Sequence, residues 1–224
     1  MSKLSRRSFF TTTFASIPAI MIAGNIERLF SGSPAFGNLF PDASQQAVPV
    51  DAETIYGKVR GYMFNDVAIF RGIPYGGPTE GPGRFLPPSK PGRWTGVKDA
   101  ATANGPRCIQ QPGAAITASF KIFGGGRADA AELSKQTDSE NCLNLNVLTP
   151  GLKGKRPVMV YIHGGGFTTG SSILTVLSDR HVREQDVILV GVNHRLNVFG
   201  FTYLGGLSEK YAVGNPGMLD LISS

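Results

Sequence analysis

Three consecutive glycines, Gly164–Gly166, form the stretch of this 224-residue sequence best suited to chemistry. Residues without a Cβ let successive backbone N–H groups point at one spot and let a ligand come close to the main chain. Such a group of donors stabilises negative charge that develops during a reaction. The motif therefore predicts an anion or oxyanion site, and the alternative is a glycine-rich turn without a ligand.

Two short apolar runs are expected to position the glycines. Residues 158–162 read VMVYI and lie just before His163, and residues 187–192 read VILVGV. Short, near-continuous apolar runs that are rich in β-branched residues are typical of strands that are covered on both faces. Residues 175–184, between the runs, can form a short helix. A strand, a crossover and a second strand predict a parallel pair, and hence an α/β fold.

The chain before these strands is predicted to be rich in β-structure. Residues 54–60 and 63–71 are expected to form an antiparallel hairpin at the sheet edge, with Gly61 between them. Residues 72–94 contain six prolines, which exclude a helix or a central strand and predict an ordered surface loop or a linker. The aromatic residues Tyr75, Phe85 and Trp94 favour a loop that packs against the fold. Residues 143–148 alternate apolar and polar side chains as a half-buried strand does. At the other end of the chain, a helix is expected from residue 218.

The first 35 residues are interpreted as an export signal. The segment Ser5–Phe10, SRRSFF, followed by an uncharged apolar stretch, is similar to the twin-arginine signals of bacteria, with cleavage expected after Ala35. The apolar stretch is shorter than the roughly 20 residues that a membrane-spanning helix needs. A disordered basic tail is the alternative. Residues 36–50 are predicted to be a linker, and residues 51–224 the folded domain.

The composition suits a globular domain, since 41% of the residues are apolar. The formal net charge is +6, but Lys3, Arg6, Arg7 and Arg28 against Glu27 place +3 of it in the first 35 residues. Elsewhere the basic residues are scattered and do not alternate with aromatic residues. The sequence therefore argues against a nucleic-acid partner.

Cys108 and Cys142 are the two cysteines of the chain. One disulfide between them suits an exported protein and would close a loop of about 35 residues, worth roughly 3–4 kcal/mol in the chain-entropy model. Twin-arginine substrates are generally exported already folded from a reducing compartment, so two free buried thiols are the alternative. The loop has no strong periodicity, which is typical of functional loops.

Several motifs in a fixed order resemble the type B carboxylesterases, the family that includes bacterial para-nitrobenzyl esterases and the cholinesterases. The resemblance extends from about Thr54 to Asp220. It rests on Phe70–Tyr75, Arg84–Phe85, Pro87–Pro88, Trp94, Cys108, Ser139–Val147, His163–Phe167, Asn193–Leu196, Phe199–Phe201 and Gly214–Asp220. It implies the N-terminal part of an α/β-hydrolase fold, with a mixed, mostly parallel sheet and an N-terminal antiparallel meander, ending before the nucleophile elbow.

The resemblance also implies an activity. The family hydrolyses carboxylic esters with a serine nucleophile, a histidine base and an acidic residue, and needs no cofactor or metal. The expected substrate is a small-molecule ester. Gly165 and Gly166 match the glycines whose backbone N–H groups form part of the oxyanion hole, and His163 before them is expected to be structural.

Other matched positions are expected to hold the structure. Cys108 and Cys142 match the first bridged pair of the family, whose loop forms part of the active-site wall. Two further pairs match structural ion pairs, Arg84 with Glu140 and Arg195 with Asp220.

Four residues depart from the usual family pattern. The family usually has Asp where Asn141 stands and Gly where Asn197 stands, and often Tyr where Asn144 and His194 stand. None of these positions makes or breaks bonds, so the departures concern packing and specificity.

No Gly-x-Ser-x-Gly nucleophile motif occurs in these 224 residues, and Gly206–Lys210 fails at its fifth position. We therefore expect the N-terminal portion of an esterase, inactive alone because it ends before the serine, the acid and the histidine. A non-catalytic cholinesterase-like domain, of the kind used in adhesion, is an alternative. A small stand-alone anion-binding module is another.

The export signal can be tested by changing Arg6 and Arg7 together to Lys. Because twin-arginine export depends on the arginine pair, the double variant should stay in the cytoplasm. Fractionation of expressing bacteria, with the unchanged sequence as control, measures this. Normal appearance of the variant in the periplasm or medium would show that the segment is not such a signal.

Overall fold

The computed structural model describes residues 48–111 and 136–224. The expected export signal, most of the expected linker and the interior of the loop between the cysteines lie outside these residues. The strands are β1 Val48–Thr54, β2 Gly57–Phe64, β3 Val67–Pro74, β4 Val97–Asp99, β5 Arg107–Cys108, β6 Asp138–Ser139, β7 Asn144–Thr149, β8 Val158–Ile162 and β9 Ile188–Val192. The α-helices are α1 Asp179–Gln185, α2 Asn197–Phe201 and α3 Pro216–Ser223, with 3₁₀ turns at Gly81–Gly83, Ser172–Leu177 and Glu209–Tyr211.

The main sheet is mixed and has the order β1-β2-β3-β7-β9-β8, with β4 beside β2. The predicted parallel pair is confirmed, since β8 runs parallel to β9 from Val158–Ile188 to Ile162–Val192. Antiparallel pairings nevertheless prevail in the part of the chain described, four against two. The mostly parallel character expected of the sheet is therefore limited here to β8–β9 and β2–β4.

Strand β8 is the last strand in the described sheet order, and its side chains are exposed. Val158 is 60% and Val160 55% exposed, so the prediction that this strand is covered on both faces is wrong for the described chain. Strand β9 lies between β7 and β8, and Val192 there is fully buried. An apolar run shows that a strand suits burial, but the neighbouring elements decide whether it is buried.

The predicted antiparallel meander is present, but its turns lie elsewhere. The chain turns at Asn65 and Asp66, which both have positive φ (47° and 61°), as a two-residue hairpin requires. Gly61 lies inside β2 and not in a turn. A Cβ on Gly61 would lie 2.3 Å from the Ile69 carbonyl oxygen, so this glycine permits a close approach of β3. Strand β1 also begins at Val48, inside the predicted linker.

Strand β7 is buried on both faces, and not on one as its alternation predicted. It lies between β3 and β9. Asn146 is only 2% exposed, and its side-chain amide donates to the carbonyl and hydroxyl oxygens of Ser172. Its oxygen accepts from the Gly72 N–H. These bonds explain how a polar residue occupies the centre of the sheet.

The helical predictions are close to the structure. The expected helix at 175–184 is a 3₁₀ turn, Ser172–Leu177, followed by α1, and helix α3 begins two residues before the predicted start, with Pro216 in its first turn. The proline-rich segment is an ordered loop, as predicted. It is held by Tyr75, whose buried hydroxyl donates to the Asn193 carbonyl at 2.6 Å.

Within the residues that the structure describes, three apolar clusters fill the interior. The largest joins Tyr62, Val67, Ile69, Leu148 and Leu189 of the sheet to Ile173, Val176 and Val182 of the crossover. A second joins Val59, Ala68, Phe70 and Ala100. The third lies below the glycine motif and contains Tyr75, Cys108, Cys142, Leu143, Val192 and Leu196. No helix in the described residues is long and apolar enough to cross a membrane.

Candidate oxyanion site

The three glycines follow β8 after one residue, His163, and are exposed. Gly165 and Gly166 have φ of 131° and 60°. Among the described residues, neither of their backbone N–H groups has a hydrogen-bond acceptor. The two adjacent glycines therefore present free donors, as an oxyanion site requires.

The Gly165 carbonyl oxygen is held from the opposite side. It accepts from the N–H groups of Thr168 and Thr169, both at 3.1 Å, and from the Thr168 hydroxyl at 3.0 Å. This oxygen and the Gly166 N–H belong to one planar peptide unit and point in opposite directions. Fixing the Gly165 oxygen therefore also fixes the direction of the Gly166 N–H.

The loop geometry requires glycine at some positions and not at others. A Cβ on Gly165 would lie 1.9 Å from the Thr169 carbonyl oxygen. One on Gly166 would meet no atom within 4 Å, but the φ of this residue disfavours other side chains. Gly164 has neither restriction. Gly170 ends the loop, and a Cβ there would lie 2.2 Å from Nδ1 of His163.

His163 is buried below the loop. Its Nδ1 lies 3.0 Å from the Gly164 carbonyl oxygen, and its ring stacks on that of His194, with centroids 4.8 Å apart and planes 8° apart. Burial lowers the pKa of His163 to about 4. The side chain packs between Gly170 and His194, which agrees with the structural role expected for it.

His194, one of the departures from the family pattern, completes this stack. It is 3% exposed, and its Nδ1 lies 2.9 Å from the Arg195 carbonyl oxygen. The edge of the Phe201 ring packs against it. Burial lowers the pKa of His194 as well. His181, the third histidine, is exposed on α1, away from this pair.

Buried amide side chains support the loop, and sequence reasoning missed them. The Gln110 side chain accepts from the Gly170 N–H at 2.8 Å and donates to the Gly170 carbonyl at 2.9 Å, as a neighbouring strand would. Asn193 accepts from the Ser172 N–H and donates to Asn144. The only signal in the sequence is the presence of asparagines beside and within apolar strands.

A cavity of about 710 Å³ lies beside the glycine loop. Gln110, Thr168 and Thr169 contribute polar groups to its wall, and Ile109 and Phe199 contribute apolar surface. Thr169 also donates to the Gly165 carbonyl, so the cavity and the candidate donors share one loop.

The predicted disulfide between Cys108 and Cys142 is not formed, and both residues are free, buried cysteines. A hydrogen bond from Cys142 to the Cys108 sulfur raises the pKa of Cys142 and lowers that of Cys108. The Leu196 N–H also donates to the Cys108 sulfur, at 3.0 Å. Two free buried thiols, the alternative from the sequence, are what the structure contains. The expected position of the whole loop in the site wall stays a prediction, because residues 112–135 lie outside the described chain.

Both expected ion pairs are present. Arg84 holds Glu140 through two hydrogen bonds of 2.6 and 2.5 Å near the surface. Arg195 and Asp220 are 1% and 0% exposed in their side chains and form two bonds, of 2.9 and 2.7 Å. Asp220 also accepts from the Arg195 N–H. In the described residues, no cluster of three or more His, Cys, Asp or Glu could hold a metal ion.

The sequence was compared with known proteins and protein families. The model of the carboxylesterase family matches residues 46–224. The chain belongs to the carboxylesterase family. Para-nitrobenzyl esterase of Bacillus subtilis is 40% identical over 169 residues, which cover 75% of this chain and 32% of that protein. Neuroligin-2 of Mus musculus is 32% identical over 213 residues, 80% of this chain and 24% of that protein.

Solved carboxylesterases share the fold. The crystal structure of a carboxylesterase from Geobacillus stearothermophilus matches with a TM-score of 0.64 and 36% identity, covering 77% of this chain and 33% of that one. The sheet and loop described above are thus those of an α/β-hydrolase carboxylesterase. The chain spans about a third of the length of the curated relatives just named or less.

The depressed pKa of His163 predicts a pH-dependent stability for this carboxylesterase chain. The unfolded chain binds the proton near pH 6.5 and the folded chain only near pH 4, so the free energy of unfolding should fall as the pH drops through that window. This difference between the two pKa values corresponds to at most about 3 kcal/mol in the free energy of unfolding. Urea unfolding at pH 7 and pH 4.5 measures it. His163→Gln should flatten the pH dependence, whereas the same change at exposed His181 is the control. Equal slopes in all three proteins would contradict the prediction.

Proposed function

We propose that this chain is the N-terminal part of a serine carboxylic ester hydrolase and supplies backbone donors of its oxyanion hole. The observation that carries the proposal is that the Gly165 and Gly166 N–H groups have no acceptor among the described residues, while the Gly165 carbonyl is held by the N–H groups and hydroxyls of Thr168 and Thr169. Membership of the carboxylesterase family supports it.

The proposed role is electrostatic. Attack on an ester carbonyl places negative charge on its oxygen, and donors already in position stabilise that charge without reorganisation. Loss of one such donor typically costs about 3–4 kcal/mol of barrier. These 224 residues hold no Gly-x-Ser-x-Gly motif, so we assign the serine, the acid and the histidine to residues outside this sequence.

The proposed substrate is a small-molecule carboxylic ester, and no cofactor is required. The cavity lined by Thr168 and Thr169 supports a small substrate, since it offers space for a small ligand at the same loop as the proposed donors. We also propose export through the twin-arginine signal at Arg6 and Arg7, which lies outside the described residues.

A non-catalytic member of the family is the second candidate, because the similarity to Neuroligin-2 shows that the match is not limited to proteins named as esterases. The coding DNA beyond the Ser224 codon distinguishes the two. A Gly-x-Ser-x-Gly sequence there supports the hydrolase. An intact continuation of the family domain without that serine supports the second candidate.

The 224-residue chain alone should not hydrolyse para-nitrophenyl esters above the rate in buffer. Donors without a nucleophile and a base retain only a small part of the catalysis of a complete site. Release of para-nitrophenol is followed with and without an organophosphate. A rate that this serine-directed inhibitor abolishes would show that the chain contains its own nucleophile.

In a longer protein that joins this chain to the family's nucleophile, Gly165→Ala should lower kcat/KM about 100- to 1,000-fold. The added methyl group would collide with the Thr169 carbonyl and displace the proposed donors. Gly164→Ala is the matched control and should have little effect, because no atom of the described residues lies within 4 Å of a Cβ at that position. Equal rates for the two variants would exclude Gly165 from the oxyanion hole.

A further inference from the structure

Asn197 connects the glycine loop to two other segments. It has a φ of 53°, which explains why a position usually occupied by Gly accepts Asn, the side chain most tolerant of left-handed backbone. Its backbone N–H donates to the Phe167 carbonyl at 2.8 Å. Its side-chain amide donates to the Thr168 carbonyl at 3.0 Å and to the Ile109 carbonyl at 3.1 Å. A glycine here could make only the first of these bonds.

The orientation of the Asn197 amide follows from its neighbours. An amide NH₂ has two hydrogens and no acceptor, and here it faces two carbonyl oxygens. The reverse orientation would bring three oxygens together without a hydrogen. Each N–H of the side chain therefore has one partner, one in the glycine loop and one beside Cys108.

Asn197 donates to the carbonyls of Phe167 and Thr168, and the peptide units of these two carbonyls also contact Gly165. The Phe167 oxygen shares its peptide unit with the Thr168 N–H, and the Thr168 oxygen shares its unit with the Thr169 N–H. Both N–H groups donate to the Gly165 carbonyl, at 3.1 Å. That carbonyl in turn shares a planar unit with the Gly166 N–H. Every step from Asn197 to this donor is thus a hydrogen bond or a rigid peptide plane.

We propose that Asn197 is a positioning residue, which fixes the direction of the Gly166 N–H and ties the glycine loop to the segment after Cys108. This role depends on the function proposed for Gly166. It goes beyond that function because it assigns alignment of the donor to a side chain outside the glycine motif. Asn197 makes no hydrogen bond to Gly165 or Gly166 and acts on the Gly166 N–H through Phe167 and Thr168, although it also lines part of the neighbouring cavity.

Residue-resolved hydrogen exchange on the 224-residue chain tests the proposal. Asn197→Gly keeps the backbone conformation and the bond to Phe167 but removes both side-chain bonds. Exchange of the Thr169 N–H should become about 5–30 times faster, since one or two net hydrogen bonds are lost. The Thr168 N–H should change less, because its peptide unit keeps its bond to the Asn197 N–H.

Asn215→Gly is the matched control. Asn215 also has a positive φ, 60°, and begins a helix, but its side chain makes no capping hydrogen bond. The Asn215→Gly variant should leave hydrogen exchange of the Thr168 and Thr169 N–H groups unchanged. Asn197→Asp keeps the size of the side chain and removes the donors, so it should accelerate Thr169 at least as much as the glycine variant. Unchanged Thr169 exchange in both Asn197 variants, or equal acceleration in Asn215→Gly, would overturn the proposal.

Kinetics separate this proposal from the function on which it depends. In a longer protein with the nucleophile, Asn197→Gly should lower kcat by a larger factor than it changes KM, because the donor acts on the transition state whereas Asn197 forms only part of the cavity wall. A kcat equal to that of the parent protein would overturn the positioning role. Faster Thr169 exchange in a longer protein that hydrolyses no ester would show that Asn197 stabilises the loop. The same result would contradict the proposed hydrolase function.

Discussion

The buried ion pair of Arg195 and Asp220 is the interaction on which the surroundings of the site depend. Two charges without exposure require complete pairing, because a single buried charge is costly. The Arg195 guanidinium reaches both Asp220 oxygens and the Leu86 carbonyl. Helix α3, the proline-rich loop and the chain after β9 therefore meet at one point. The net contribution of such a pair to folding is often small, so its main effect is to fix these segments relative to one another.

The residues on both sides of Arg195 show what this fixed point supports. Each contacts a different segment. Asn193 makes hydrogen bonds to Ser172 and Asn144, and His194 stacks on His163. The Leu196 N–H donates to the Cys108 sulfur, and Asn197 donates to the carbonyls of Phe167 and Thr168. A displacement of this short segment would therefore also displace the glycine loop, because several of these contacts join the two. Residues 193–196 are buried and Asn197 is partly exposed, as expected of a segment that contacts several others.

Sequence reasoning found the parallel pair, the ordered proline-rich loop and the position of the glycines, because these follow from local composition and chain order. The family resemblance gave the partners in both ion pairs. Periodicity could not show that β8 lies at the edge of the described sheet or that β7 is covered on both faces, since burial depends on neighbouring strands. It also favoured Gly61 as the turn, whereas the hairpin uses Asn65 and Asp66. The amide contacts of Gln110 and Asn193 join residues far apart in the chain, and no local pattern reports them.

The hydrogen bonds to the Gly165 carbonyl affect which residues of the glycine loop can change in sequence. Two of these bonds run between main-chain atoms, from the N–H groups of Thr168 and Thr169, and the hydroxyls of the same two residues add side-chain bonds of 3.0 and 3.4 Å. Thr169 lines the nearby cavity, so a replacement there would change the cavity wall while both main-chain bonds to the Gly165 carbonyl are kept. Substrate preference and donor geometry are then separable traits. Mutation can explore the first without loss of the second.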